Sequence, residues 1–222
     1  VRRKGDGRMR PVDLLVFDLD GTLVRSDEDL AAGVNHALKA VGIPVLPLET
    51  IRGFIGDGIP VLMRRALGPH APEWISRSID LFNDYYSEHL LDHTVLYPDV
   101  PAVLDHFDRK QKVIVTNKTE VFALKITHAL GIASRFREII GEGASPFKKP
   151  DPRLLQLVMA KWGAKPERTV VIGDGVNDVL LGKQAGALSC AFLNGITGRE
   201  RLLALSPDLT CEALSDLMSL LC

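Results

Sequence analysis

Five short stretches of this chain are apolar almost without interruption: LLVF (14–17), VIVT (113–116), EII (138–140), TVVIG (169–173) and LSCAFL (188–193). A strand with one wet face alternates apolar and polar residues, because successive side chains point to opposite faces. A continuous run instead marks a strand covered on both sides, as in a parallel sheet packed between helices. Helical spacing separates the later runs. This strand–helix repeat predicts an α/β domain with a parallel sheet.

The gap between the first two runs has a different texture. Leu30, Val34, Leu38 and Val41 fall on one helical face; so do Ile59, Leu62, Met63, Ala66 and Leu67, and so do Ile75, Ile79, Phe82, Tyr86 and Leu90. No convincing strand interrupts them. The pattern predicts a helical insert over residues 26–93, set into a core made of 11–25 and 94–222. The expected hinges are RSD (25–27) and HTVLYPD (93–99), and TCEALSDLMSLLC (210–222) is expected to close the fold as an amphipathic helix.

Composition narrows the functional classes. With 222 residues, 46% of them hydrophobic and 25% charged, the chain is long enough for a real core and ordinary for a soluble enzyme. The first ten residues, VRRKGDGRMR, carry five bases and one acid and read as a disordered leader, with Met9 as an alternative start. They lack the apolar stretch of a secretory signal. Taking them from the 27 bases and 28 acids of the whole chain leaves 22 against 27, a formal charge of −5. Neither nucleic acid nor an anionic membrane is favoured as a partner, and no apolar run approaches the roughly 18 residues of a membrane span. Cys190, Cys211 and Cys222 are scattered and odd in number, which fits a reduced, cytoplasmic protein without a disulfide framework. The six histidines show no metal-ligand spacing, and Asn117–Lys118–Thr119 matches a glycosylation sequon at a strand end, where chance explains it.

The candidate chemistry gathers where strands end. In an open parallel sheet, ligands bind beyond the carboxyl ends of the strands. Asp18 and Asp20 end the first apolar run. Thr116 and Asn117 end the second. Lys148–Lys149–Pro150 sits in a loop before a helix, and GDGVND (173–178) places Asp174 and Asp178 after another strand. Alone, each is an ordinary turn, cap or solvated loop. Together they offer clustered carboxylates, a hydroxyl, an ammonium and flexible glycines. That set suits a hard cation such as Mg2+, which takes oxygen ligands and often shares them with a substrate phosphate. The cation also answers how two carboxylates two residues apart are tolerated. Residue types alone leave the choice between Lys148 and Lys149 open.

DLDGT (18–22), VIVTN (113–117), KKP (148–150) and GDGVND (173–178) resemble, in order and spacing, the four motifs of the haloacid dehalogenase superfamily. The resemblance spans residues 13–193. It implies a Rossmann-like three-layer αβα core, with the helical insert as a cap domain placed after the first strand. It implies Asp18 as nucleophile, forming an aspartyl-phosphate, and Asp20 as the acid and base for the leaving oxygen and for water. Mg2+ would bind the Asp18 carboxylate, the Asp20 carbonyl and Asp174. Thr116 and the Asn117 backbone N–H would hold phosphate oxygens, and Lys149, directly before the proline, would neutralise phosphate and Asp18. Asp178 would orient Lys149 or a water on the metal. An acid at Asp20 favours phosphate-monoester hydrolysis over dehalogenation.

Within the superfamily, FDLDGTLVRSDEDLAAGVNHAL (17–38) and IRGFIGDGIPVLMRRALG (51–68) are similar to phosphoglycolate phosphatases. This implies an FIGDG loop (54–58) lowered over the site, with Gly56 and Asp57 near the substrate; a substrate carboxylate would need a cation or backbone donors nearby, for which Arg52 is the candidate, while Arg64 and Arg65 are expected on a solvent face. Arg25, Asp99 and the missing Ser after GD depart from the family's usual residues and bear on the substrate. The expectation is a cytoplasmic Mg2+-dependent phosphatase, monomer or homodimer, acting on a small phosphorylated metabolite, 2-phosphoglycolate first. The alternatives are a phosphosugar mutase of the β-phosphoglucomutase type, a pyrophosphatase or nucleotidase of the same superfamily, and a non-catalytic binding protein.

Overall fold

The computed structural model describes residues 9–222. Strand β1 (Leu14–Phe17) is followed by a two-residue strand, β2 (Val24–Arg25), and four helices: α1 (Asp27–Ala40), α2 (Leu48–Arg52), α3 (Ile59–Leu67) and α4 (Ala71–His89). A second two-residue strand, β3 (Val95–Leu96), and helix α5 (Val100–His106) lead into the longest strand, β4 (Gln111–Thr119). Strands and helices then alternate through α6 (Glu120–Ala129), β5 (Glu138–Glu142), α7 (Pro152–Trp162), β6 (Thr169–Gly173), α8 (Val176–Gln184), β7 (Leu188–Phe192), α9 (Arg199–Leu203), β8 (Leu209–Cys211) and α10 (Leu217–Leu220).

Six strands form one sheet in the order β5–β4–β1–β6–β7–β8, parallel throughout. Val16 of β1 is level with Val113 on one side and Val171 on the other. The continuous apolar runs have the cause expected of them. Leu15 and Phe17 of β1 face a cluster with Val103 of α5 and Ile126 of α6, while Leu14 and Val16 face one with Leu155 and Val158 of α7. All four β1 side chains are fully buried, and each such burial stabilises by roughly 1.5–3 kcal/mol. The result is the three-layer α/β architecture. The chain moves outward from β1 to one edge through β4 and β5, then to the other through β6, β7 and β8. That reversal opens a crevice at the carboxyl ends of the central strands.

The apolar faces of the insert pack as expected, with Leu30, Val34, Leu38, Met63, Leu67, Phe82 and Tyr86 buried and Val41, Ile75 and Ile79 partly so. Helices α1 and α4 approach closely at Gly33, where a Cβ would lie 2.8 Å from the Phe82 ring. Both expected hinges meet a strand that the sequence did not reveal, β2 ending in the first at Arg25 and β3 lying within the second: the two pair antiparallel, Val24 with Leu96 and Arg25 with Val95. Two residues are too few to show a period. Asp29 fastens the same junction. Its buried carboxylate accepts from the backbone N–H groups of His93 (3.0 Å) and Thr94 (2.9 Å) and from the Thr94 hydroxyl (2.7 Å).

The carboxyl-terminal segment differs from the expected helix. Thr210 and Cys211 belong to β8, the edge strand beside β7, and α10 is four residues long. Asp216 accepts from the backbone N–H groups of Glu212 (2.9 Å) and Ala213 (3.1 Å), so the chain turns there before any helix begins. At the other end Arg10 is already tied to the core, its N–H donating to Leu220 at 2.8 Å. Residues 1–8 of the expected leader lie outside the described residues. Among the described residues no helix is long and apolar enough to cross a membrane.

Replacing Asp29 by Ala leaves two backbone N–H groups and a hydroxyl without their acceptor, at about 1–3 kcal/mol for each one that stays dry. Asp29→Ala is expected to lose about 2–4 kcal/mol of unfolding free energy, read as the midpoint shift in urea denaturation. An unchanged midpoint contradicts the fastening role.

Candidate active site

The turn after β1 brings the first and fourth motifs together. Leu19 accepts from the backbone N–H groups of Leu23 (2.9 Å) and Val24 (3.0 Å), which folds Asp18–Thr22 back at the strand end. Gly21 has φ +85°, and a Cβ there would lie 2.3 Å from Asp174 Oδ2, so any side chain would strike that carboxylate. Thr22, which the sequence did not single out, joins the segments twice: its hydroxyl donates to Asp174 Oδ1 at 2.8 Å and accepts from the Asp174 backbone N–H at 3.0 Å. The Ile196 N–H, also unforeseen, donates to Asp174 Oδ2 at 2.8 Å.

Asp18, Asp174 and Asp178 each present a carboxylate oxygen within 4.8 Å of the others. Lys149 is the ammonium among them, 2.7 Å from Asp18 Oδ1 and 2.6 Å from Asp178 Oδ1. The open choice between neighbouring lysines has a geometric answer, because the Lys148 ammonium stands at the surface, 3.4 Å from Glu142. Asn117 makes the difference. Its side-chain carbonyl accepts from the Lys149 N–H (3.0 Å) and its amide donates to the Lys149 carbonyl (3.1 Å), gripping that residue's backbone.

The charges do not balance. Burial, reinforced by the Asp18 carboxylate, pushes Asp174 up to about 7 and raises Asp178 despite Lys149. Asp18 Oδ1 touches the Lys149 ammonium as a charge but has no hydrogen bond of ordinary geometry, since that lysine is aimed at Asp178. Three buried carboxylates, one lysine and an orphaned carboxylate oxygen fit a divalent cation with oxygen ligands.

Asp20 is kept apart from this cluster. Its Oδ1 accepts from the Ser26 hydroxyl at 2.5 Å, and both its oxygens lie near the Lys118 ammonium, at 3.1 and 3.2 Å. Lys118 is buried, donates to the Tyr86 hydroxyl at 2.7 Å, and was missed in the sequence except as the middle letter of a sequon. Burial alone would lower its ammonium, but the Asp20 carboxylate outweighs that and holds the pKa above the ordinary lysine value. The β4–β5 ladder is irregular between Val115 and Thr119. In a regular strand neighbours point to opposite faces; here Thr116, Asn117 and Lys118 all line one cavity. Nothing in the apolar pattern foretold it.

That cavity, about 40 Å³, has Asp18 and Asp20 on the core side and Leu30, Ile55, Ile59, Leu62 and Phe122 as apolar walls. Gly56 lines it from the FIGDG loop and is held down by two amides: its carbonyl accepts from Asn117 (3.1 Å) and Asn177 (3.2 Å). Asp57 is tied instead to Asn177 at 2.7 Å and to Arg65 at 2.6 Å, and is not among the lining residues. Burial alone would raise its carboxyl; these two partners hold it below the usual range. Arg65 is therefore engaged in securing the loop as well as partly exposed. Arg52, expected as a substrate cation, stands outside the cavity lining. Its guanidinium is committed to Asp27 (2.6 Å) and Glu49.

The family model described as haloacid dehalogenase-like hydrolase matches residues 12–186. The phosphoglycolate phosphatase of Vibrio parahaemolyticus serotype O3:K6 is 34% identical over 218 residues, covering 93% of this chain and 95% of that protein. The one from Pseudomonas putida is 39% identical over 215 residues, covering 92% and 78%. Among solved structures, a predicted phosphoglycolate phosphatase from Haemophilus somnus 129pt has a TM-score of 0.88 at 29% identity, with 93% of this chain and 96% of that one covered.

Carboxyls whose folded pKa lies above the unfolded value of about 3.9 bind more protons when folded, so they subtract stability as pH rises through that window. Metal-free protein is therefore expected to lose stability between about pH 4 and the Asp174 value of about 7. A divalent cation competes with those protons. Its stabilising shift in melting temperature should be larger at pH 8 than at pH 5 by differential scanning fluorimetry, and an equal shift at both counts against the site.

Proposed function

We propose that this chain, which belongs to the haloacid dehalogenase-like hydrolases and is a phosphatase, hydrolyses 2-phosphoglycolate with Mg2+ as its cation and Asp18 as its nucleophile. The observation that carries the chemistry is the division of two carboxylates two residues apart: Asp18 lies with Lys149, Asp174 and Asp178, while Asp20 faces Ser26 and Lys118. The substrate rests on the similarity to phosphoglycolate phosphatases and on a cavity of about 40 Å³, which suits a small monoester with the insert in this position.

Asp18, Asp174 and the Asp20 carbonyl would hold Mg2+, which supplies charge neutralisation for the phosphate and for Asp18. In the first step an Asp18 oxygen bonds to phosphorus while the phosphorus–oxygen bond to the alcohol breaks. Asp20 gives the departing oxygen its proton. In the second step Asp20 takes a proton from water, the water oxygen bonds to phosphorus, and the bond to Asp18 breaks, releasing inorganic phosphate. Lys149 offsets charge on the transferring group, and Asp178 aims Lys149. The Thr116 hydroxyl accepts from the Lys118 N–H at 3.2 Å, which leaves its own proton for a phosphate oxygen. Asn117 fixes Lys149 and the loop at Gly56 with its side chain, and its backbone N–H would serve the phosphate. The insert acts as a cap that excludes water while the chemistry proceeds.

The test is phosphate release across 2-phosphoglycolate, pyrophosphate, nucleotides and sugar phosphates, with Mg2+ and with chelator. 2-Phosphoglycolate is expected to give the highest kcat/KM and chelator to remove the activity. Asp18→Asn should fold normally by circular dichroism and lose on the order of 10⁴-fold in kcat. Sugar-phosphate isomerisation without phosphate release would replace this reading by the mutase one, and full activity in Asp18→Asn would sink the nucleophile.

A further inference from the structure

Resting on the reading of the cavity as the site of a small phosphate monoester, we infer that Lys118 and Tyr86 form its carboxylate-recognising end, so that Lys118 sets specificity for a substrate bearing a second anionic group. Among the described residues lining the cavity, Lys118 is the one cation. Its side chain is almost wholly buried, and a buried ammonium is kept only where its donors are met. An ammonium has three donors. Asp20 meets it with both oxygens, at 3.1 and 3.2 Å, and the Tyr86 hydroxyl accepts from it at 2.7 Å, so a ligand anion in the cavity would share an ammonium already partnered on the protein side. The Tyr86 hydroxyl accepts from Lys118, and its own proton has no acceptor among the described residues. Two donors thus stand side by side at one end of a pocket whose other walls are largely apolar. A carboxylate offers two acceptor oxygens to meet them.

The placement also separates this end from the phosphate end. Lys149 serves Asp18 and Asp178, on the metal-ligating side, and does not line the cavity. Lys118 serves Asp20, the carboxylate nearest the departing alcohol. A carboxylate carried by that alcohol therefore meets the Lys118 charge and the Tyr86 hydroxyl, and an alcohol without one leaves the Tyr86 proton unmatched. Unmatched buried donors discriminate strongly, because the wrong ligand forfeits the hydrogen bond without regaining water. Tyr86 belongs to α4 of the insert and Lys118 to β4 of the core, so recognition depends on both being in place.

The test separates recognition from a mere effect on Asp20. Two stable analogues of equal length are compared by calorimetry on the full chain with Mg2+: 3-phosphonopropionate, which carries the carboxylate, and propylphosphonate, which carries a methyl group instead. The wild type is expected to bind the carboxylated analogue about 10–100-fold more tightly, and Lys118→Met to bring that ratio to within about twofold of unity. Loss of Asp20 support alone would leave the ratio unchanged. No preference in the wild type, or a preference retained in Lys118→Met, overturns the assignment. Should Lys118→Met not fold, Tyr86→Phe decides: a several-fold loss of preference supports the assignment and an unchanged ratio overturns it. Phosphate release from 2-phosphoglycolate by the wild type is measured alongside. Its absence with the binding preference intact removes the substrate reading and leaves Lys118 in its role.

Discussion

Three carboxylates cannot all remain charged within 4.8 Å of one another, away from water, around a single ammonium. Much of the structure is an answer to that repulsion. Lys149 is shared between Asp18 and Asp178, Thr22 and the Ile196 N–H hold Asp174, and the remaining excess of negative charge suits a divalent cation. None of these groups could be assembled by a local segment. The sheet supplies the assembly, because its strand order reverses about β1 and brings the ends of β1, β4 and β6 to one crevice. The apolar burial of β1 on both faces gives the charged cluster a rigid base.

A second, smaller charge centre lies beside the first. Asp20 and Lys118 pair away from Asp174, with Ser26 and Tyr86 completing the hydrogen bonds. The two lysines therefore divide the site: Lys149 faces Asp18, and Lys118 faces Asp20. The FIGDG loop closes over both, because Asn117 reaches Gly56 and Lys149 at once. Loop position and lysine position share one side chain. A disturbance of the loop would be felt at the Lys149 ammonium through Asn117 rather than through space.

The sequence was legible where local pattern has a single structural meaning. Continuous apolar runs identified five of the six strands of the sheet, all but the edge strand β8, and helical spacing identified the faces of the insert that are buried. Residue chemistry also pointed to Asp18, Asp20, Thr116, Asp174 and Asp178, which lie together in the fold, while it left Lys148 and Lys149 undecided. It misled at Arg52. A guanidinium near a glycine-rich loop looks available, yet Asp27 and Glu49, both within 25 residues of it, neutralise it first. It was silent on Lys118, 98 residues from Asp20 and 32 from Tyr86. A lysine written inside a strand end carries no mark of what it will meet.

What the sequence determined by itself was the architecture and a set of candidate polar groups at the strand ends, because burial pattern and side-chain chemistry are properties of short segments. The tertiary structure decided orientation and partnership. It turned Lys149 inward and Lys148 outward, made Thr210–Cys211 an edge strand instead of a helix, and aimed three consecutive residues of β4 at one cavity through an irregular ladder. Each of those outcomes depends on a hydrogen bond or strand pairing with a distant segment, and such energies do not exist until the segments meet.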